Sequence, residues 1–253
     1  MDRLAFNAMA AINEDRLIRH QLSNDIANVN TVGFKQTFEA TLQPHKAVGK
    51  GFDTRLQPRL YTTDQVRLGT GAVMVTGRDL DIALNDKTVL GVTGADGQLA
   101  FTRRGDLRVN AKGVLENGSG YVVRSQDGGP ITVPFDAKLT FGADGTLYAS
   151  DQAQPGAQQQ VLARLMLRDA SATPLIKRDD GLFRVQDQAI GTDFASGKEA
   201  VSLTPQALEG SSVNPMVSMV KLIEQSRSFE QQVRVIKECK SNDESGASMM
   251  KVS

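Results

Sequence analysis

Two apolar stripes with helical spacing, one at each end of the chain, constrain its fold more than any other feature. Near the N-terminus, Leu4, Ala8, Ala11, Ile12, Ile18, Leu22, Ile26 and Val29 recur at intervals dominated by three and four residues. That spacing puts them on one face of an α-helix. Asp15 is the single polar break in the stripe. The turn Asn30-Thr31-Val32-Gly33 then ends the helix, with Gly33 able to take the positive φ of a C-terminal cap. At the other end, Asn214-Pro215 reads as a helix start: asparagine caps and proline suits the first helical position. Met219, Leu222, Ile223, Phe229, Val233 and Ile236 follow, with mixed spacing close to a coiled-coil heptad. From Pro215 to Lys240 such a helix extends about 39 Å. The segment Ser241 to Gly246 is a poor helix former, so the reading stops there.

The middle of the chain obeys another period. Asp96-Gly97, Asn117-Gly118, Asp127-Gly128, Asp144-Gly145 and Asp180-Gly181 are tight-turn dipeptides. Between them stand short β-prone runs at 80–84, 107–109, 120–123, 131–133 and 161–167. Short strands with frequent turns predict an antiparallel β domain. The glutamine-rich stretch 152–160 reads as an exposed loop. The expected class is α+β: a mainly antiparallel central β domain at 79–199, connecting segments at 36–78 and 200–211, and a discontinuous helical domain from 1–35 and 212–253.

Composition closes several routes. Lys plus Arg and Asp plus Glu number 29 each, so the balanced charge gives no electrostatic case for nucleic acid or anionic lipid. Cys239 is the only cysteine, which excludes an intrachain disulfide. His20 and His45 have no partner at metal-ligand spacing, and no metal or other cofactor is expected. Gly91 to Gly97 lacks the lysine of a phosphate loop and reads as a hairpin. Asp79 and Asp81 flank Leu80 and are expected on one solvated strand face; Arg103 and Arg104 are expected at a polar edge or against a neighbouring subunit; Cys239 is expected as a small apolar residue of the helix stripe. No segment has the roughly 18 apolar residues of a membrane span, and the N-terminus is interrupted by Asn7, Asn13, Glu14 and Asp15, unlike a cleaved secretory signal.

The helix stripes must be covered. Periodicity leaves two ways open: the helices pack within one molecule, or they pack with those of other copies. Head-to-tail contacts that do not close give a helical filament.

Two motifs bear on that choice. Ser23-Asn24-Asp25-Ile26-Ala27-Asn28-Val29-Asn30-Thr31-Val32-Gly33-Phe34-Lys35 resembles the signature of flagellar rod and hook proteins. Ala207-Leu208-Glu209-Gly210-Ser211-Ser212-Val213-Asn214-Pro215 and Arg227-Ser228-Phe229-Glu230 resemble the matching C-terminal motif. Asp79 to Leu84, Phe101-Thr102-Arg103-Arg104-Gly105 and Gly142-Ala143-Asp144-Gly145-Thr146 resemble segments between them. The likeness covers most of the chain. The Met1-Asp2-Arg3 start, the short connection after Lys35 and Asp179 to Arg184 favour the proximal rod type; a distal rod or hook-type axial subunit is the alternative, and a monomeric ligand-binding β domain a more distant one. The chain departs from the family pattern at Asn85 to Gly91 and in the tail after Ile236.

The resemblance implies a structural subunit, not an enzyme. It implies polymerisation with copies of itself and neighbouring rod subunits, export by the flagellar type III apparatus without a cleaved signal, and a periplasmic place in the basal body. It offers no small-molecule substrate and no membrane insertion. The residues expected to carry assembly are Leu4, Ala8, Ile12, Leu22, Ile26, Met219, Ile223, Phe229, Val233 and Ile236 on the helices. Asn28, Gly33 and Phe34 are expected to shape the exit turn, and Asn214 and Pro215 the return.

Overall fold

The structure, a computed structural model, describes residues 2–37, 39–46, 56–63, 65–134, 137–151 and 159–250. The chain forms two compact units. One comprises Met1–Ala27, Phe38–Thr63 and Asn214–Ser253; the other comprises Asn28–Thr37 and Asp64–Val213.

The first unit contains helix α1 (Asp2–Ala27), the antiparallel ribbon β1 (Glu39–Lys46) and β2 (Leu56–Thr63), and helix α2 (Pro215–Met250). The helices pack on each other, and β2 lies beside α1. Both α2 start signals operate. Asn214 Oδ1 accepts from the backbone N–H of Met216 at 3.0 Å and of Val217 at 3.3 Å, satisfying two otherwise free donors of the first turn. Pro215 occupies the first position, where its missing N–H costs nothing. The helix does not stop at Lys240 but runs 36 residues to Met250. Lys240 and Glu244 pair at i,i+4, and the hydroxyls of Ser245 and Ser248 donate to the carbonyls of Ser241 and Ser245. The ion pair gives the weak helix formers a small local support, and the hydroxyls satisfy themselves on the helix backbone.

The second unit is built from short strands: β3 (Val73–Val75), β4 (Ile82–Leu84), β5 (Thr88–Thr93), β6 (Leu99–Thr102), β7 (Leu107–Val109), β8 (Leu115–Asn117), β9 (Val122–Val123) and β10 (Ala137–Phe141). They continue with β11 (Thr146–Asp151), β12 (Gln160–Arg164), β13 (Leu167–Asp169), β14 (Leu175–Lys177), β15 (Phe183–Val185), β16 (Leu203–Pro205) and β17 (Ala207–Glu209). Every ladder among the described strands is antiparallel. The largest sheet runs β14-β15-β6-β5-β9-β8-β7, with β13 also paired to β5; β10, β11 and β12 form a second sheet, and β16-β4 and β17-β3 are two-stranded.

The central strands are buried on both faces. Leu90 and Val92 of β5 and Ala100 of β6 join a core with Ile82, Leu107, Leu115 and Leu147. Val89, Leu99 and Phe101, pointing the other way, join a second core with Leu175, Phe183 and Phe194. Phe101 and Phe194 meet edge to face, their centroids 5.0 Å apart. This explains why β5 and β6 read as continuous apolar runs instead of alternating ones. The departure at Asn85 to Gly91 is the tight link from β4 into β5, with Asp86 at φ 45°.

Three sequence expectations change here. Ile131 to Val133 is no strand; Thr132 forms only an isolated bridge. The 161–167 run is split into β12 and the start of β13, because Leu165 and Met166 make separate bonds to Gly145 and Arg124. Asp79 and Asp81 do not share a solvated strand face. Asp81 is buried at 3 % exposure, accepts from the Thr76 hydroxyl at 2.7 Å and lies 3.4 Å from Arg78, in the turn that precedes β4. Residues 152–158 of the glutamine-rich stretch lie outside the described residues.

Candidate assembly interface

The helix pair of the first unit separates the residues of each stripe onto different surroundings. On α1, Ala8 and Leu22 are buried, and Ile12 and Ile26 are half-buried, but Leu4 is 58 % exposed. On α2, Val233 and Ile236 are half-buried, whereas Met219, Ile223 and Phe229 are exposed, at 50, 54 and 36 %. Cys239 is buried. Further apolar side chains stand in solvent: Met9 and Leu17 on α1, and Met216, Val217 and Val220 on α2. Met9, Leu17 and Val220 fall one position from a stripe residue, whereas Met216, three before Met219, fits the spacing of the stripe. The guanidinium of Arg19 lies over the Phe229 ring, 5.2 Å from its centroid.

What the two helices do cover between them is notably polar. Asp15 and Ser218 are buried, and Ser228, Gln225 and Gln232 half-buried. The covered side thus mixes these polar groups with the apolar Ala8, Leu22 and Cys239, while other apolar side chains stay outside, unlike the dry seam of a finished amphipathic pair.

The β unit holds the two chain segments that lead to these helices. Gly33 N–H donates to the Glu209 carbonyl at 2.8 Å, Ser212 N–H to the Phe34 carbonyl at 3.0 Å, and Gln36 N–H to Ser212 Oγ at 3.1 Å. Gly33 has φ +67°, and a Cβ there would lie 2.4 Å from the Arg103 carbonyl oxygen. Both the backbone angle and the space therefore require glycine. Phe34 is half-buried, with the Lys177 ammonium 4.2 Å from its ring centroid. Asn28 Oδ1 accepts from the Thr31 hydroxyl at 3.1 Å, and the Asn28 carbonyl from Thr31 N–H, closing the turn after α1.

Beneath that crossing lies a charge cluster with no side-chain exposure. Lys35 Nζ donates to Glu209 Oε1 at 2.7 Å and to the Gly69 carbonyl at 2.6 Å. Arg103 Nε donates to Glu209 Oε2 at 2.7 Å. The remaining Arg103 nitrogens reach the carbonyls of Asp86, Thr88 and Leu84 at 2.5, 3.0 and 2.5 Å. Gly71 N–H completes the Glu209 shell at 2.9 Å. Two cations face one carboxylate, and backbone carbonyl dipoles take up the excess positive charge. Burial pushes the Lys35 amine below its ordinary value, the Arg103 charge acts in the same direction, and the hydrogen bond and charge of Glu209 oppose them.

Arg103 is therefore no edge residue. It is fully buried because it stitches the β4–β5 link to β17. Arg104 instead grips Asp106 through two bonds, at 2.7 and 2.8 Å. Gly105, next in the same motif, admits the β4 backbone: a Cβ would stand 1.9 Å from the Ile82 carbonyl oxygen. Sequence reasoning missed Lys35, Arg103 and Glu209 as a unit. Each lay inside a quoted motif, but their separation in the chain gave no hint that they meet.

Among the described residues there is no group of His, Cys, Asp and Glu able to hold a metal, and no helix long and apolar enough to cross a membrane.

Comparison with known proteins gives two family-model matches. Residues 83–149 match the flagellar hook protein FlgE/F/G D1 domain, and residues 204–249 match the flagellar basal body rod FlgEFG protein C-terminal region. The flagellar basal-body rod protein FlgF of Salmonella typhimurium (strain LT2) is 31 % identical over 245 residues, 96 % of each chain. The chain belongs to the flagellar basal-body rod protein family, F-type. FlgF of Escherichia coli (strain K12) is likewise 31 % identical over 238 residues, 93 % of each chain, and the rod protein FlgG of Bacillus subtilis (strain 168) is 29 % identical, covering 85 % of this chain and 86 % of its own. As a rod-family member the chain is a structural subunit and not an enzyme. Arg103 falls within the D1 match and Glu209 within the C-terminal match, so the buried cluster joins the two regions that define the family.

Proposed function

We propose that this rod subunit polymerises through the outward apolar faces of α1 and α2, packing them against the helices of copies of itself and of neighbouring rod subunits in a coiled-coil-like core. The observation that carries the reading is the row of exposed side chains Met216, Val217, Met219, Val220 and Ile223 on α2, matched by Leu4, Met9 and Leu17 on α1. Contiguous apolar exposure marks a surface meant for a partner. Covering each half-exposed side chain contributes on the order of 1 kcal/mol, so a few per subunit suffice to hold a multivalent array. Within that array Leu4, Met219, Ile223 and Phe229 face neighbours. Ala8, Ile12, Leu22, Ile26, Val233 and Ile236 hold the pair itself, while Asn28, Gly33, Phe34, Asn214 and Pro215 shape the segments that enter and leave it.

The rod is then a torque-bearing shaft in the periplasm, of the proximal type, and its subunits travel through the flagellar type III apparatus without a cleaved signal. A load passed along a shaft needs rigid connections between its parts. The fully buried Lys35–Glu209–Arg103 cluster supplies one within the β unit, tying the segment after α1 to the strand before α2.

Ile223→Asp tests the interface. The variant chain is expected to keep its β-unit melting transition while losing incorporation into basal bodies and motility. Normal motility in that strain would sink the proposal.

A further inference from the structure

The proposed interface leaves one residue unexplained. Asp15 interrupts an otherwise apolar stripe, and it is only 5 % exposed. Its Oδ2 accepts from Ser228 Oγ at 3.1 Å and from Gln232 Nε2 at 2.9 Å, while the same Gln232 nitrogen donates to Ser228 Oγ at 3.2 Å. The three side chains close a triangle across the helix pair. Both partners of the carboxylate are uncharged, and the Gln225 and Gln232 amide oxygens nearby are buried without partners. As a source of stability this is poor: a buried carboxylate with neutral donors recovers little of its desolvation cost.

A buried polar residue in a helix seam has a better-attested role. It accepts weaker binding in exchange for a single register. The observed alignment brings Ser228 and Gln232 together onto Asp15. Sliding α2 by one heptad in one direction would set the carboxylate against Val235 and Cys239, which offer no comparable donors. Sliding it in the other direction would set Lys221 and Gln225 against the carboxylate, replacing a neutral contact by an ion pair for which the now exposed ammonium must give up its water.

We propose that Asp15 is the specificity-determining residue of the helix pair, locking α1 and α2 in one register through Ser228 and Gln232. Register decides which exposed side chains of α1 lie beside those of α2. It therefore decides which exposed rows of the pair, such as Leu17 on α1 and Phe229 on α2, lie level with one another and are offered together to a neighbouring subunit. The consequence for assembly rests on the interface proposed above; the register itself does not.

The test is pulsed electron paramagnetic resonance on the isolated full-length chain, with Cys239→Ala and nitroxide labels on Ser23→Cys and Glu238→Cys, exposed positions well separated along the axis of the helix pair, so that a slide changes their distance almost fully. With Asp15 present, one narrow distance distribution is expected. Asp15→Leu is expected to add populations displaced by about 10 Å, the rise of one heptad, with an unchanged or higher melting temperature. Asp15→Asn keeps an acceptor and should retain the single distribution. A residue with a merely structural role would instead give a lower melting temperature and one distance. That outcome, or a single distance in Asp15→Leu at any melting temperature, overturns the proposal. Should Asp15→Leu not fold, Ser228→Ala/Gln232→Ala is read in its place: multiple distances support the lock, and one distance refutes it. Because the measurement reads a single chain, its failure is distinct from a failure of Ile223→Asp to block assembly.

Discussion

The buried polar groups of the two units contrast sharply. In the β unit, Lys35, Arg103 and Glu209 are charged, fully enclosed and bonded to one another, to backbone carbonyls and to a backbone N–H, although Asp81 Oδ1, Asn117 Nδ2 and Arg178 Nη1 elsewhere in that unit are buried without hydrogen-bond partners. In the helical unit, Asp15 makes do with a hydroxyl and an amide, two glutamine oxygens have no partner, and apolar side chains stand outside. A complete network rigidifies, while an incomplete one specifies an arrangement without stabilising it much. The contrast teaches that the β unit is finished as a single molecule. The helical unit leaves apolar side chains exposed and is, on the proposed reading, a surface still to be covered.

The comparison breaks most severely if the anion is removed. Glu209→Ala leaves two cations buried without their carboxylate and is expected to destabilise the β unit by about 3–5 kcal/mol. Equilibrium denaturation followed by β-sheet circular dichroism measures it, and a loss below about 1 kcal/mol would mean that water or backbone replaces the carboxylate. Gly33→Ala comes next. A left-handed backbone costs a Cβ-bearing residue about 1–2 kcal/mol, and the contact with the Arg103 backbone adds to it. A calorimetric scan is expected to show a clearly lower β-unit melting temperature.

The smallest effect concerns protons. The folded state holds the Lys35 amine below its ordinary value of 10.5, so the unfolded chain binds more protons in the window just beneath that value. Stability of the β unit is accordingly expected to rise with pH through that window and to be flat below the folded value. In Lys35→Met this slope disappears. An equal slope in both proteins, measured by denaturant titration at several alkaline pH values, would show that Lys35 enters the fold at its ordinary value.

Much of the architecture was legible in the sequence because local chemistry decides it. Asn214-Pro215 started a helix, the Asp-Gly pairs turned strands, and Leu107 to Val109 formed the strand its composition suggested. The helix beyond Lys240 was not legible, because propensity is a weak prior and the helix already running from Pro215 to Lys240 carries the conformation on without a new nucleus. Ile131 to Val133 looked like a strand but is held by single bridges. The cluster was hidden for a different reason. Charged residues are normally exposed, so Arg103 read as surface, and only the fold brings it to Glu209, 106 positions away. Asp81 misled in the same manner. Helical spacing located the two helices but could not say which apolar rows the pair buries and which it leaves exposed, since heptad-like stripes look alike from both sides.

Amide hydrogen exchange on the isolated full-length chain tests most directly whether one unit is complete and the other is not. Amides of β5, β6 and β17 are expected to exchange only through global opening of the β unit, whereas those along α1 and α2 exchange orders of magnitude faster through local opening. Helices as strongly protected as the central strands, in a chain that remains monomeric, would contradict the account.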